Sequence, residues 1–150
     1  MGNDKFVQLL SESVGEVLES MFFTGVFDED ASKGDDEASL ISARLSFRGT
    51  PSGEFGIRTR PETAQKLSAS FLGEEESAIN EIQRGEVLCE LANMLCGSFL
   101  SRLEKTDRFE LSKPELQSMG VEVPRDCAIR REFHAEEGSL QVWLALEQNA

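Results

Sequence analysis

Apolar residues recur at helical spacing near the start of the chain. Phe6, Leu9, Leu10, Val14, Val17, Leu18, Met21 and Phe22 predict an amphipathic helix over residues 5–22. An acidic, Gly-containing connection follows, Asp28 to Glu37. From Leu40 the period switches to two. Ile41, Ala43, Leu45 and Phe47 alternate with Ser42, Arg44 and Ser46, the pattern of a half-buried strand. Gly49-Thr50-Pro51-Ser52-Gly53 reads as a turn, and Phe55, Ile57 and Thr59 alternate again as the return strand of a hairpin. Pro61 sits where proline opens a helix, and Gly73 where glycine closes one. A long helix is expected over residues 76–105, then a short strand at Phe109–Leu111 before Pro114. Residues 128–133 and 140–146 form a second hairpin turning at Glu136-Glu137-Gly138, with Phe133, Leu140, Val142 and Leu144 in its core.

The order helix, hairpin, helix, helix, strand, hairpin has the layout of a duplicated unit. Ser46-Phe47 before the first turn resembles Glu132-Phe133 before the second, and Glu16-Val17-Leu18-Glu19 parallels Glu90-Leu91-Ala92-Asn93. Antiparallel strands with amphipathic helices imply an α+β sandwich, duplicated helix-plus-hairpin units forming an antiparallel sheet with helices packed on one face. At 150 residues, a single domain over 1–150 is expected.

On the long helix, successive residues turn by about 100°. Leu88, Leu91, Leu95, Phe99 and Leu103 form one apolar stripe, and Glu86, Glu90, Asn93, Gly97 and Glu104 fall on the opposite side. Glu90 and Asn93, three apart, share a face. Asn costs a helix about 0.5–0.7 kcal/mol and Gly about 1 kcal/mol relative to Ala. Two such choices on one exposed face imply close approach by another molecule.

Composition narrows the chemistry. The balance of 15 basic and 28 acidic residues gives a formal charge of −13, which opposes binding to nucleic acid or to an anionic membrane surface. Cys89, Cys96 and Cys127 show no CxxC spacing. Cys89 and Cys96 are about two helical turns apart, too far for a disulfide, so a reducing cytosolic compartment is expected. The N-terminal residues run straight into an amphipathic helix rather than a signal peptide, and position 6 is Phe, against myristoylation. No apolar run approaches a membrane span, so a soluble protein is expected. His134, the single histidine, sits beside a turn and lacks companions for a zinc site. An EF-hand counted from Asp28 fails at Lys33 and Ser39. No G-x-S-x-G, P-loop or G-x-G-x-x-G is present. Cys89 has no base beside it in sequence and reads as structural, on the flank of the packed face.

The run Glu90-xx-Asn93-Met94-Leu95-x-Gly97, with Pro114 after the next short strand, resembles the signature of the CheC/CheX family of chemotaxis phosphatases, closest to the CheX branch. That signature places Asp or Ser four residues before the Glu. Here position 86 is Glu, and the spacing to Pro114 is slightly short. Length, leading helix and duplicated layout resemble the family as well.

The resemblance implies a protein phosphatase that hydrolyses the aspartyl phosphate of a CheY-like response regulator. Asn93 would orient the attacking water and Glu90 would pair with a lysine of the regulator. Glu86 and Gly97 are the expected partner-binding neighbours. No cofactor is expected in this chain, since the magnesium would belong to the regulator. In the first half, Glu19 stands where the Asn would be. A carboxylate there would repel phosphoryl oxygens, so one active face is expected and the Glu16–Glu19 pair reads as solvated surface. The regulator's own active site is acidic, so net charge cannot steer the encounter. The alternative reading is a noncatalytic interaction module of the same fold in a two-component or chemotaxis pathway. A third is a structural homodimer, since members of the CheX branch pair through their sheets.

Overall fold

The computed structural model describes residues 2–22, 25–30, 40–49, 52–103, 109–118 and 129–147. Helix α1 spans Gly2–Met21, followed by strands β1 (Val26–Asp30), β2 (Ile41–Arg48) and β3 (Gly53–Thr59). Helix α2 (Pro61–Leu72) leads through a short 3-10 turn at Glu76–Ala78 into α3 (Glu81–Leu103). Strands β4 (Glu110–Leu111), β5 (Glu115–Ser118), β6 (Ile129–Ala135) and β7 (Gly138–Leu146) complete the chain. The seven strands make one antiparallel sheet in the order β1-β6-β7-β3-β2-β4, with β5 also on β2.

That order has the symmetry the sequence layout suggested. The two hairpins meet at the centre, β7 against β3, and each is flanked by an edge strand from the other half. β1, which follows α1, pairs with β6. β4 and β5, which follow α3, pair with β2. The halves are thus interlocked by exchanged edges rather than merely packed together. The expectation of a connection from Asp28 is corrected by β1, whose acidic sequence conceals a strand; residues 31–37 of that segment, Thr50–Pro51, Glu104, Cys127 and Ala128 lie outside the described residues. Strand β5 falls where the sequence predicts a loop after Pro114.

Alternation along the strands sends one set of side chains under the helices. Ile41, Ala43, Leu45 and Phe47 of β2, Phe55 and Ile57 of β3, Ile129 and Phe133 of β6, and Leu140, Val142 and Leu144 of β7 are all buried. They meet Leu10, Val14 and Leu18 of α1, Ala64 and Leu67 of α2, and Leu88, Leu91, Leu95 and Phe99 of α3 in one core. Phe6 crosses Phe99 edge-on at 6.2 Å between ring centres, and Phe22 stacks on Phe71 at 4.9 Å, tying α1 to α3 and α2. Met21, assigned to the apolar stripe by periodicity, is exposed at the helix end.

The expected long helix begins later than residue 76, and local hydrogen bonds explain why. Gln83 N–H donates to Asn80 Oδ1 at 2.8 Å while Asn80 N–H donates to Gln83 Oε1 at 2.9 Å, a reciprocal capping box that starts α3. Gln65 of α2 holds the preceding turn, its Nε2 donating to the carbonyls of Glu76 and Ile79, each at 2.7 Å. Gly73 ends α2 with φ 68°, the left-handed conformation glycine adopts without strain.

On the face of the sheet away from the helices, Trp143 is 2% exposed beside its cross-strand partner Gly56. A Cβ at Gly56 would fall 2.3 Å from the indole ring, so the glycine is the slot into which the indole fits. Replacing Gly56 with Ala is expected to destabilise the fold by about 1–3 kcal/mol through overpacking. Urea unfolding followed by the fluorescence of Trp143, the single tryptophan, measures this directly.

Candidate functional site

The rotation of α3 is set by its buried stripe. With Leu88, Leu91, Leu95 and Phe99 in the core, the opposite side of the helix faces outward. There Glu90 is exposed and Asn93 half-buried. Both line an open groove of about 970 Å³ between α3 and the β4–β5 segment, whose far wall includes Leu111, Ser112, Lys113, Pro114 and Leu116. The helix and the proline that the motif named stand on facing walls of one groove. Neither Glu90 nor Asn93 has a hydrogen-bond or ion-pair partner among the described residues. An amide that is half-buried and unbonded among the described residues has both its N–H donors and its carbonyl acceptor to offer another molecule.

The far wall owes its shape to a bulge. Along β2, Phe47 opposes Leu111 and Arg44 opposes Glu115, so Leu45 and Ser46 face three residues, Ser112, Lys113 and Pro114. One extra residue in an edge strand breaks the ladder and re-aims the side chains beside it. Proline, which has no N–H for the ladder, is tolerated at such a point. The bulge is pinned at its start. Ser112 N–H donates to the Ser46 carbonyl at 2.8 Å, and Ser46 N–H donates to Ser112 Oγ at 2.9 Å.

Glu86 is exposed and lines the same groove as Glu90 and Asn93. Gly97, one turn beyond Asn93, does not line it; it is half-buried, and a Cβ there would meet nothing within 4 Å. Sequence reasoning missed Ile82, Arg84, Lys113 and Leu116, all of which line the groove. Ile82 was legible. It lies within about 20° of Asn93 on a helical wheel, an apolar residue on the polar side. Leu116 became legible only with β5.

Cys89 lies on the flank of the packed face, partly buried against the core, and it also lines the groove. Burial, with a smaller contribution from the negative charge of Glu86, raises its thiol pKa above the ordinary value. Burial pushes Cys96 up to about 12. Both thiols are free and stay protonated near neutral pH, so neither is an activated nucleophile. His134 lies on β6, where its Nδ1 is 2.8 Å from Ser139 Oγ and its Nε2 3.7 Å from Glu132. Among the described residues no group of three or more His, Cys, Asp or Glu side chains is placed to hold a metal ion, and no helix is long and apolar enough to cross a membrane.

The corresponding pair in the first half is engaged differently. Arg102 of α3 reaches Glu16 at 3.0 Å and Glu12 at 3.8 Å, and also donates to Ser98 Oγ at 2.6 Å. Exposed ion pairs of this kind contribute little stability, but they occupy the carboxylate that matches Glu90. Glu19 remains exposed surface.

A sheet of interlocked halves covered on one side by helices is the CheC-like fold. The family described as chemotaxis phosphatase CheX matches residues 41–125, and the chain belongs to that family. Among solved structures it is similar to chemotaxis protein CheX from Vibrio vulnificus, with 21% identity, a TM-score of 0.75, and coverage of 95% of this chain and 96% of that one. CheX from Desulfovibrio desulfuricans gives 18% identity and a TM-score of 0.75 over 95% and 99% of the two chains. A CheX–CheY–BeF3–Mg2+ complex from Borrelia burgdorferi gives 15% identity and a TM-score of 0.76 over 95% and 98%. No curated protein sequence matches the chain.

The environment of Cys89 generates a prediction. Removing the nearby charge with Glu86→Gln should lower the thiol pKa and speed alkylation of Cys89 by iodoacetamide at pH 8, leaving buried Cys96 unreactive. Peptide mass spectrometry against time resolves the two sites; an unchanged Cys89 rate would remove Glu86 as a contributor.

Proposed function

We propose that this protein hydrolyses the aspartyl phosphate of a CheY-like response regulator, with Asn93 as the catalytic residue and Glu90 as the docking residue. The observation that carries the reading is the placement of an unbonded, half-buried Asn93 and an exposed Glu90 on one wall of an open groove, facing Pro114 on the other. Membership of the CheX family and the likeness to a CheX structure that includes CheY support it.

The chemistry needs little more than this. An acyl phosphate is already activated, and phosphoryl transfer depends on positioning and charge stabilisation. The Asn93 carboxamide accepts a hydrogen bond from a water and directs its lone pair in line with the phosphorus. The phosphorus–oxygen bond to the regulator's aspartate breaks, giving free carboxylate and inorganic phosphate. Being neutral, the amide does this without titrating. Glu90 pairs with the regulator's lysine and fixes the two proteins in register. Any magnesium would be held by the regulator rather than by residues of this chain, and would supply charge stabilisation at the phosphoryl oxygens.

The test is the decay of phosphorylated regulator with substoichiometric protein. Wild type should accelerate decay. Asn93→Ala should lower turnover by about 100-fold or more, the scale of losing a positioned polar group at a reaction centre. Its stability should be unchanged or raised by about 0.5 kcal/mol, since Ala is the better helix former. Glu90→Ala should raise KM. An Asn93→Ala protein as active as wild type overturns the assignment, and wild type that binds charged regulator without accelerating its decay makes the protein an interaction module.

A further inference from the structure

The large apolar side chains left exposed are concentrated around one ridge. Among the described residues they are Ile82 at 74% exposure, Leu116 at 46%, Met21 at 42% and Leu72 at 41%. Ile82 and Leu116 line the groove that holds Asn93. Leu72, at the end of α2, lines a shallow depression on the other flank of the same helix, together with Glu86 and Glu90. Three of the four therefore surround the Glu86–Glu90 ridge. Leu116 is held there by a glycine: its Cδ2 would lie 2.6 Å from a Cβ at Gly85, so the bare helix backbone at that point lets the leucine close over α3. Ile82 lies on the same helical stripe as Asn93, about 16 Å away along the axis. That span fits within a protein–protein interface of ordinary size, about 800 Å² on each partner.

Net charge cannot draw a receiver to this surface from a distance, so the Glu90 contact acts only once the two proteins meet. The chain carries −13, and the charged side chains lining the groove are Glu81, Glu86 and Glu90 against Arg84 and Lys113, with Arg84 already 3.7 Å from Glu81. A receiver that presents an acidic, phosphorylated pocket meets net repulsion at long range. Burial of apolar surface is the attraction left, and it is not weakened by salt.

We propose that Ile82, Leu116 and Leu72 form the apolar patch on which a CheY-like regulator docks, and that this patch rather than net charge supplies most of its affinity, with Glu90 setting register. The proposal rests on the reading of Glu90 and Asn93 given above and adds the residues that hold the partner over them. The regulator seats across the Glu86–Glu90 ridge. Ile82 and Leu116 bury against its surface on the groove side and Leu72 on the α2 side, and Asn93 projects into its phosphorylated pocket.

The experiment measures binding of a beryllofluoride-charged CheY-like receiver by titration calorimetry, beside steady-state hydrolysis of the phosphorylated receiver. Ile82→Ala combined with Leu116→Ala should weaken binding and raise KM by about tenfold or more, the loss expected for two truncated anchors, with kcat unchanged. Leu72→Ala should act in the same direction. Glu54→Ala, an exposed position on β3, serves as control and should change nothing. Raising salt from about 50 to 300 mM should leave wild-type affinity unchanged or improved, because screening relieves repulsion.

Apolar variants that bind as tightly as wild type overturn the proposal. So does wild-type affinity that falls steeply with salt, since that assigns docking to charge, and so does failure of wild type to bind any receiver of a CheY-type panel. If the variants dissociate a dimer of this chain in sedimentation while receiver affinity is unchanged, the patch belongs to a second copy and the proposal also falls. Wild type that binds but does not hydrolyse removes the phosphatase assignment alone. The docking patch then still stands or falls by the variants' affinities.

Discussion

Burial of the Leu88–Leu91–Leu95–Phe99 stripe against β2 and β3 fixes the angle of α3, and the site follows from that angle. Each residue step along a helix turns by about 100°, so a slip of one position would swing Asn93 out of the groove and bring Ala92 or Met94 toward it. The stripe resists this because all four side chains are almost fully buried among Ala43, Leu45, Phe55 and Ile57 of the sheet. Emptying any one of these positions in a closely packed core costs several kcal/mol, about 2–5 for a leucine cut to alanine. The capping box at Asn80 and Gln83 then fixes where the helix begins. Angle and start together place Ile82, Glu86, Glu90 and Asn93 on the outward side of the helix in the unbound chain.

The second wall is held by a different device. α3 presents its residues on a regular helix, whereas Lys113 and Pro114 are presented by an irregularity in an edge strand. Without the bulge, β4 and β5 would form one continuous strand on β2, and alternate residues would face the same way throughout. The extra residue breaks that alternation at Ser112–Pro114, beside the groove. Ser112 limits the disturbance by returning the chain to the ladder through its two bonds with Ser46. Backbone irregularity is thus confined to the place where it shapes the site.

These two walls differ in how readable they were. Helical periodicity is a strong signal over a stretch as long as α3, and the opposition of Leu88, Leu91 and Leu95 to Glu90 and Asn93 was plain from spacing alone. The hairpins, the α2 boundaries at Pro61 and Gly73 and the core residues of β7 were equally plain. β5 was not, because four residues interrupted upstream by a proline give no period to detect, and their pairing with β2 is long-range. β1 was hidden by composition: Asp and Glu disfavour strands, and Val26–Asp30 is held by its register with β6 rather than by propensity. Its discovery turns a suggestive repeat into a symmetric one, with each half donating an edge strand to the other. The start of α3 was misplaced although Asn80 and Gln83 carry the capping signature in sequence. Ile82 is an isolated apolar residue on a polar stripe, which periodicity alone does not mark as part of a site.

The symmetry of the fold also makes the asymmetry of the chemistry informative. Glu16 and Glu90 occupy matching places on helices that pack against each other, yet Arg102 bridges Glu16 to α3 while Glu90 has no partner among the described residues. Three residues on, one half carries Glu19 and the other Asn93. A carboxylate beside a phosphoryl group in a water-poor interface would face Coulomb repulsion that grows as water is excluded. The amide of asparagine, one methylene shorter, carries no net charge to be repelled, and it can donate as well as accept. The duplicated scaffold therefore carries a carboxylate at one of two corresponding helix positions and a neutral amide at the other, and under the proposed function that difference selects the face of α3. The adjoining surface differs to match. Around Glu90 lie exposed Ile82, Leu116 and Leu72, while Glu16 is engaged by Arg102 in a solvent-exposed ion pair between two helices of the same chain.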